Sequence, residues 1–369
     1  MRRDSKKSMY QYKKIAVKVG SNVLTRSDGS LNVTRMSALV DQLADLRSHG
    51  ISIVLISSGA VAAGRSEVKP DKKLDAVSAR QLYSAVGQAK LINRYYELFR
   101  EHHIACGQVL TMKENFGTRH HYLNQKRCME VMLNNGVLPI VNENDTVSVT
   151  ELMFTDNDEL SGLIASMMDM DALIILSNVD GVYNGDPSVD GSSVISEITD
   201  IQQDMLSHIR VEKSQFGRGG MLTKCNIAKK VADEGIAVII ANGLRDNILY
   251  EVLKKHSSVV CTRFIPSKKP VSTIKKWIAH SEGFAKGMVY VNEGARDALF
   301  QPGATSILLV GVTQIVGDFE KDDIVKILDS NGIQIGIGCA NYNSEEACML
   351  IGKRADKPLV HYDYLYLEI

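Results

Sequence analysis

The residues NVTRMSALVDQLADLRSHGISIVLISSG (32–59) combine a helical pattern with a strand that follows it directly. Apolar side chains recur in the first part at intervals of three and four, which predicts an amphipathic helix that buries Val33, Met36, Leu39, Val40, Leu43 and Leu46. The run ISIVLISSG (51–59) is almost continuously apolar, as in a strand buried on both faces. With the similar run KKIAVKVG (13–20) before the helix, the segment is a strand, helix, strand unit.

The same alternation continues along the chain, with further apolar runs at 104–112, 137–144, 172–178 and 235–243. Repeated units of this kind predict an α/β fold, a three-layer αβα sandwich around a mainly parallel sheet. Ligands of such sheets bind beyond the carboxyl ends of the strands. We therefore expect the loops that follow these strands to share one edge: 18–21, 57–60, 142–145 and 177–181.

The length of 369 residues is enough for two domains, each with its own core. TRFIPSKKPVST (262–273) has two prolines and no periodic pattern, and after it short strands alternate with glycines. We predict a first domain at 1–262, a linker at 263–273 and a small β-rich domain at 274–369.

Charge and hydropathy exclude several protein classes. The 43 Lys and Arg residues balance 43 Asp and Glu residues, so the whole molecule is not expected to act as an electrostatic binder of nucleic acid or membranes. The basic start MRRDSKKSMYQYKK lacks the apolar segment of a signal peptide, and no apolar run has the length of a membrane span. The sequence predicts a soluble, cytoplasmic protein.

The six cysteines show no CxxC or paired zinc-ligand spacing. They lie mostly in apolar surroundings, which predicts buried free thiols rather than disulfides or metal ligands: Cys106, Cys128, Cys225, Cys261, Cys339 and Cys348.

Two strand ends carry residues suited to an anionic ligand. In KVGSNVLT (18–25), Lys18 ends a strand and precedes Gly20 and Ser21, whose turn can offer free N–H groups. Taken alone, a lysine at this place is more often a solvated end residue. In SSGAVAAG (57–64), we expect Ser58 and Gly59 to line the edge of the sheet, while the small residues at 62–64 allow close packing of a helix against the sheet.

The segments NENDTVSV (142–149) and TDNDELSG (155–162) concentrate carboxylates and amides near one strand end. The candidate residues are Asn142, Glu143, Asn144, Asp145, Asp156, Asn157 and Asp158. Like charges so close together imply a cationic partner: a bound amino group, Mg²⁺ or the lysines of the other segments. Alternatively, Asp156 or Asn157 only caps a helix that begins at Leu160.

GRGGMLTK (217–224) places two adjacent glycines and Lys224 at the start of a predicted helix near Gly219. The N–H groups and the dipole at such a helix end favour phosphate. The P-loop spacing is absent, so a P-loop NTPase is excluded. The loop SNVDGVYNGDP (177–187) follows a strand and is either a nucleotide-base contact or only a connection.

These motifs, in this order and together with QLYSAVGQAKLI (81–92), resemble the glutamate 5-kinase family of the amino-acid kinase superfamily. The resemblance covers essentially the whole chain, and residues from about 275 onward resemble the PUA pseudo-barrel domain of that family. It implies transfer of the γ-phosphoryl group of MgATP to the side-chain carboxylate of L-glutamate, the first step of proline biosynthesis. It also implies a homo-oligomer, dimer or tetramer, and feedback inhibition by proline.

The resemblance assigns roles to the candidate residues. Lys18, Lys224 and Asp158 become catalytic. The glutamate-binding residues become Ser58, Gly59, Asn142, Asp145, Asp156 and Asn157. The ATP-binding residues become Lys18, Gly20, Ser21, Ser177, Asn178, Arg218, Gly219, Gly220, Met221, Leu222, Thr223 and Lys224. No metal ligand is assigned to a side chain.

Two segments depart from the family pattern. Met153 and Thr155 replace a basic residue and a glycine, which concerns glutamate affinity and proline inhibition, and Ser177 with Asn178 replaces a threonine-aspartate pair.

Two alternatives stay open. One is a related kinase, for aspartate, acetylglutamate or uridylate, since fold alone does not select the acceptor. The other is RNA binding through the C-terminal domain, which zero net charge and sparse aromatic residues disfavour.

Overall fold

The computed structural model describes residues 10–147, 157–187, 189, 191–199, 220–255, 257–268, 272–301, 303 and 305–367. They form two compact units. The first comprises Met1–Lys113 and Gln125–Pro270, and the second comprises Glu114–Asn124 and Val271–Ile369.

The first unit is built on one sheet, which has eight strands in the described part of the chain. They are β1 Lys14–Val19, β2 Ser52–Ser57, β3 Cys106–Thr111, β4 Leu138–Glu143, β5 Ala172–Ser177, β6 Glu197–Ile198, β7 Ala237–Asn242 and β8 Thr262–Phe264. Their order is β3-β4-β2-β1-β5-β7-β8-β6. The strands from β3 to β7 in this order are mutually parallel, which confirms the mainly parallel sheet.

One feature of this sheet was not predicted. Strand β8 runs antiparallel to β7 and pairs in parallel with the short strand β6. The first two residues of the predicted linker at 263–273 belong to β8. The boundary between the predicted domains stays a prediction.

The helices of the first unit pack on both faces of the sheet. They are α1 Ser21–Leu24, α2 Val33–Ser48, α3 Ala60–Arg65, α4 Ala76–Glu101, α5 Arg119–Asn134, α6 Asn157–Met167, α7 Met221–Asp233 and α8 Ile248–Leu253. Helix α5 begins in the segment that clusters with the second unit.

Alternate residues of the strands define the two faces. Val17 and Val19 belong to the buried cluster that contains the apolar stripe of α2 and the residues Leu91, Tyr95 and Phe99 of α4. Lys18 lies between them in sequence, so its side chain points to the other face, where α6 packs on β1 and α7 packs on α6. The helix predicted at 32–50 is confirmed, and its predicted apolar stripe is buried or packed on this core.

Helices α3 and α4 cross at backbone contact through two glycines. A Cβ atom on Gly64 would lie 1.8 Å from the carbonyl oxygen of Tyr83, and one on Gly87 would lie 1.8 Å from that of Ala60. The small residues at 62–64 were predicted to pack against the sheet, but Gly64 contacts the backbone of another helix instead. Gly59, just before α3, has φ = +98° and lies in the region that favours glycine.

The second unit confirms the β-rich C-terminal domain. Within the residues that the structure describes, its sheet contains five strands in the order β10-β9-β11-β12-β13. These are β9 Gly287–Val291, β10 Val312–Gly317, β11 Ile324–Leu328, β12 Gln334–Ala340 and β13 Val360–Leu367. Its own helices are α9 Thr273–Ala279, α10 Glu293–Phe300 and α11 Ser344–Met349. Single 3₁₀ turns lie at Lys113–Phe116, Glu282–Phe284 and Leu309–Gly311.

A buried aromatic cluster in the second unit joins the segment 114–124 to α9. Trp277 donates a hydrogen bond from Nε1 to the carbonyl oxygen of Phe116 at 3.0 Å, and its ring lies 6.5 Å from that of Tyr122. These three aromatic residues are each at most 2% exposed. Sequence reasoning assigned this segment to the first domain by position alone.

The six cysteines are all free. Cys225, Cys261 and Cys339 are buried as predicted, and burial raises the pKa of each thiol. Cys106 is half-buried. Cys128 and Cys348 are exposed on outward faces of helices α5 and α11, so the prediction of burial is wrong for these two. None of the described helices is long and apolar enough to cross a membrane.

Candidate active site

Two lysines meet on one buried carboxylate. The Nζ atom of Lys18 lies 2.5 Å from Oδ1 of Asp158, and the Nζ atom of Lys224 lies 2.9 Å from Oδ2. The side chains of Lys18, Asp158 and Lys224 are 7%, 1% and 13% exposed. Each carboxylate oxygen therefore holds one ammonium group in a nearly dry environment.

Three different elements bring these groups together. Lys18 points from central strand β1 toward α6, because its neighbours in the strand pack on the opposite face. Asp158 is the second residue of α6, which begins at Asn157 and not at Leu160 as predicted. Lys224 is the fourth residue of α7, which begins at Met221 after Gly220, two residues later than the predicted start near Gly219.

The charges of the lysines dominate the titration of Asp158. Burial raises the pKa of a carboxyl group, but the ammonium groups of Lys18 and Lys224 outweigh burial here and lower the pKa of Asp158 to about 2. The carboxylate is thus ionised at every physiological pH. The three side chains together carry one net positive charge.

Beside this carboxylate, Asn157 connects the ends of the two strands β2 and β4. Its Nδ2 atom donates to the carbonyl oxygen of Ser57 and to Oγ of Ser58, both at 2.9 Å, and to Oδ1 of Asn142 at 3.0 Å. The structure therefore brings together three of the residues predicted for glutamate. Gly59 follows Ser58 directly, whereas Asp156 lies outside the described residues.

Helix α4 holds the rest of this polar group. Gln88 accepts a hydrogen bond from Nδ2 of Asn142 at 2.7 Å. Arg80 contacts Glu143 at 3.0 Å and donates from Nε to Oδ1 of Asp145 at 2.8 Å. Glu143 and Asp145 are only 3% and 8% exposed. The cationic partner that the sequence predicts for these acids includes the guanidinium group of Arg80.

The residues predicted for ATP lie along the neighbouring strand ends. Gly20 donates from its N–H group to the carbonyl oxygen of Leu176 at 2.9 Å. This hydrogen bond joins the turn after β1, which contains Ser21, to the end of β5. Ser177 and the exposed Asn178 follow Leu176 there. Gly220, in extended conformation, precedes α7, and Met221, Leu222 and Thr223 form its half-buried first turn. Arg218 and Gly219 lie outside the described residues, as do Met153 and Thr155.

The chain matches two family models. Residues 13–242 match the model described as "Amino acid kinase family", which is more than half of the chain and contains the lysine pair with Asp158. The chain belongs to the amino acid kinase family. Residues 287–362 match the model of the PUA domain.

Similar amino acid kinases include named enzymes. A protein of Bacteroides thetaiotaomicron named glutamate 5-kinase is 68% identical over 97% of this chain and 99% of its own length. One of Chlorobaculum tepidum with the same name is 47% identical over 96% of this chain and 98% of its own length. A third, from Thermoanaerobacter sp., is 39% identical over 90% of this chain and 89% of its own length.

Sequence reasoning missed the contribution of α4 to this amino acid kinase. Arg80, Ser84 and Gln88 are spaced by four residues, so they form a polar stripe on one face of a helix. That stripe is the sequence signal that could have indicated the contribution of α4 to the site. The motif at 81–92 contributes only to the family resemblance, and Arg80 lies just before it.

Proposed function

We propose that this chain transfers the γ-phosphoryl group of ATP to the side-chain carboxylate of L-glutamate, giving L-glutamyl 5-phosphate and ADP. The single observation that carries the proposal is the Asp158 carboxylate with one buried lysine on each oxygen. The names of relatives that match nearly the whole chain support the choice of acceptor.

The proposed chemistry requires alignment and charge neutralisation rather than a base. A carboxylate is already nucleophilic, and the transferred phosphoryl group passes through a loose transition state with negative charge on its oxygens. Lys18 and Lys224 supply positive charge on two sides of that group, and Asp158 keeps both ammonium groups in place beforehand. Asp158 is a positioning carboxylate in this proposal and takes no proton.

The acceptor is proposed to lie beside Asn157, with its ammonium group on Asp145. Ser58, Gly59 and Asn142 line the same edge, and amide and hydroxyl groups there suit the two carboxylates of glutamate. Asp156 is proposed for the same site from its place in the motif. The acids Glu143 and Asp145 oppose an anionic nucleotide acceptor such as UMP.

ATP is proposed to occupy the ends of β1 and β5 and the start of α7. The N–H groups at 220–223 and the positive end of the helix dipole suit the phosphates, with Arg218 and Gly219 preceding them in the motif. Ser177 and Asn178 are proposed to contact the nucleotide, with Gly20 and Ser21 on the opposite side.

Mg²⁺ is proposed to enter with ATP. Within the described residues, no group of three His, Cys, Asp or Glu could hold a metal ion, and Asp158 and Asp145 each have a cationic partner. A cage made of side chains therefore does not fit the residues described. Mg²⁺ is commonly held by substrate phosphates with few protein ligands, and there it neutralises phosphate charge.

An acceptor panel tests the proposal. Coupled measurement of ADP release should show that L-glutamate stimulates ATP turnover far more than L-aspartate, N-acetylglutamate or UMP. A higher rate with UMP would contradict the proposed class of acceptor, and a higher rate with aspartate would contradict the proposed acceptor itself.

The remaining expectations stay predictions. They are a cytoplasmic location, a dimer or tetramer, feedback inhibition by proline, and domains divided at 262 and 274. For RNA we predict only weak, salt-sensitive binding, which a gel-shift measurement at two salt concentrations checks.

A further inference from the structure

Arg80 bridges the two acids of the candidate acceptor site. It lies near the start of α4, and its Nη2 atom contacts both Oε2 of Glu143 and Oδ1 of Asp145. Its Nε atom donates to the same Oδ1 atom at 2.8 Å. Two donors of one planar guanidinium group thus fix a single oxygen of Asp145.

The contacts of Asp145 within the described part of the chain fall on one oxygen. Among the residues that the structure describes, none donates a hydrogen bond to Oδ2 of Asp145, although the residue is only 8% exposed. A carboxylate accepts hydrogen bonds on both oxygens. The geometry therefore anchors this side chain on one side and leaves the other side for a donor from a ligand.

The geometry fits a ligand with an ammonium group. Arg80 occupies one oxygen of Asp145, and the second oxygen of this carboxylate can accept a hydrogen bond from a cationic N–H group. We propose that Arg80 is a positioning residue that fixes Asp145 to receive the ammonium group of the amino-acid acceptor. This inference rests on the proposed function, because it assumes an amino acid as acceptor.

Removing the guanidinium group would leave two buried carboxylates beside each other. Burial and mutual repulsion both disfavour that state, so one acid takes up a proton or the loop at 143–147 moves. Either change removes the fixed partner of the ammonium group. We therefore expect weaker binding of glutamate, although the substitution removes a positive charge from the site.

The experiment compares Arg80→Gln and Arg80→Lys with the wild type in steady-state kinetics. Arg80→Gln should raise KM for L-glutamate by about 10- to 100-fold, while kcat and KM for ATP change by less than about 3-fold. Arg80→Lys keeps the charge but not the two-donor geometry, so it should raise KM for glutamate by less than Arg80→Gln. The matched control is Arg94→Gln, which removes an arginine of the same helix that pairs with Glu97 at the surface and should leave all three constants unchanged.

The outcomes separate this inference from the proposed function. A wild-type chain that does not phosphorylate glutamate overturns the proposed function and this inference with it. A wild type active on glutamate with an Arg80→Gln variant of unchanged or lower KM overturns the inference alone, because Arg80 would then be neutral or would compete with the substrate. A fall in kcat at constant KM, with a lower melting temperature, would assign Arg80 a structural role and overturn it too. If Arg80→Gln does not fold, the KM of Arg80→Lys decides by the same criteria.

Discussion

Asp158 holds two ammonium groups that would otherwise repel each other in a buried site. The repulsion between Lys18 and Lys224 is offset only while this carboxylate is charged, and its pKa of about 2 keeps it so. Residue substitutions here should therefore separate catalysis from binding and from stability.

Lys224→Ala should affect the chemical step. Because Lys224 is proposed to act on charge that develops during transfer, we expect kcat to fall by about 10²- to 10³-fold, or roughly 3–4 kcal/mol, with little change in KM for glutamate. Steady-state kinetics measures both constants. Lys229→Ala, on the same helix and paired with Asp233 near the surface, is the control that should behave as wild type. A near-normal kcat with a changed KM for glutamate would contradict the role of Lys224.

Asp145→Ala should show the opposite pattern. The substitution removes the proposed partner of the substrate ammonium group, so KM for glutamate should rise by more than about 10-fold while kcat at saturation changes less. KM for ATP serves as the internal control. Equal losses in KM for both substrates would indicate a general disturbance of the site.

The stability contributed by Asp158 should depend on pH. Its pKa in the folded chain lies below the ordinary value of 3.8, so its contribution is complete above about pH 4 and is lost as pH falls toward 2. Asp158→Asn removes the carboxylate that both ammonium groups contact and should cost about 3–5 kcal/mol of unfolding free energy at pH 7. Denaturant unfolding of both proteins should give a constant difference from pH 7 to 5 and a smaller one at pH 3. A difference that does not shrink at pH 3 would contradict the assigned pKa.

Among the elements, α4 carries both packing and site residues. Its glycine at position 87 permits backbone contact with α3, and Arg80 and Gln88 reach the strand ends from the same helix. The position of α4 therefore connects packing to the candidate acceptor site.

Gly87→Ala should displace this helix. The new Cβ atom would lie 1.8 Å from a backbone oxygen, so we expect a loss of about 1–3 kcal/mol and a melting temperature lower by about 2–12 °C. Calorimetry measures the shift, and KM for glutamate should rise with it. Gly185→Ala is the control, since its Cβ atom would meet only Ser192 Oγ at 3.6 Å. Equal melting temperatures for the two variants would contradict the close crossing of α3 and α4.

The sequence predicted the central strands, the shared edge of their loops and the candidate lysines, because continuous apolar runs and glycine-rich turns are local signals. It did not predict the antiparallel strand β8 or the contacts of Arg80 with Glu143 and Asp145, since both depend on residues far apart in the chain. The predicted first residues of α6 and α7 differ from the observed ones because Asn157 and Gly220 are compatible with several positions at a helix end.

At the scale of the whole molecule, the second unit contains a short segment from the first half of the chain in addition to the C-terminal residues. Residues 114–124 interrupt the first unit in sequence but belong to the second, where the buried Phe116 and Tyr122 pack with Trp277. Trp277 thus covers apolar side chains that lie more than a hundred residues earlier in the chain.

A chain that ends at Ser272 tests this arrangement. It keeps every proposed catalytic residue but exposes Phe116 and Tyr122, so we expect kinase activity per folded molecule together with a greater tendency to aggregate. Light scattering and kcat on the monodisperse fraction measure the two effects. Complete loss of activity in a folded shortened chain would show that the second unit contributes to catalysis.

Trapping of the product identifies the atom that receives the phosphoryl group. An acyl phosphate reacts with hydroxylamine to give a hydroxamate, whereas a phosphate ester or a phosphoanhydride on UMP does not give one. The full chain with ATP, Mg²⁺, L-glutamate and hydroxylamine should form glutamyl hydroxamate in proportion to ADP, and Lys224→Ala should form it at a rate lower by about 10²-fold or more. ADP release without hydroxamate, or hydroxamate formed equally fast by Lys224→Ala, would contradict phosphoryl transfer to a carboxylate by the lysine pair on Asp158.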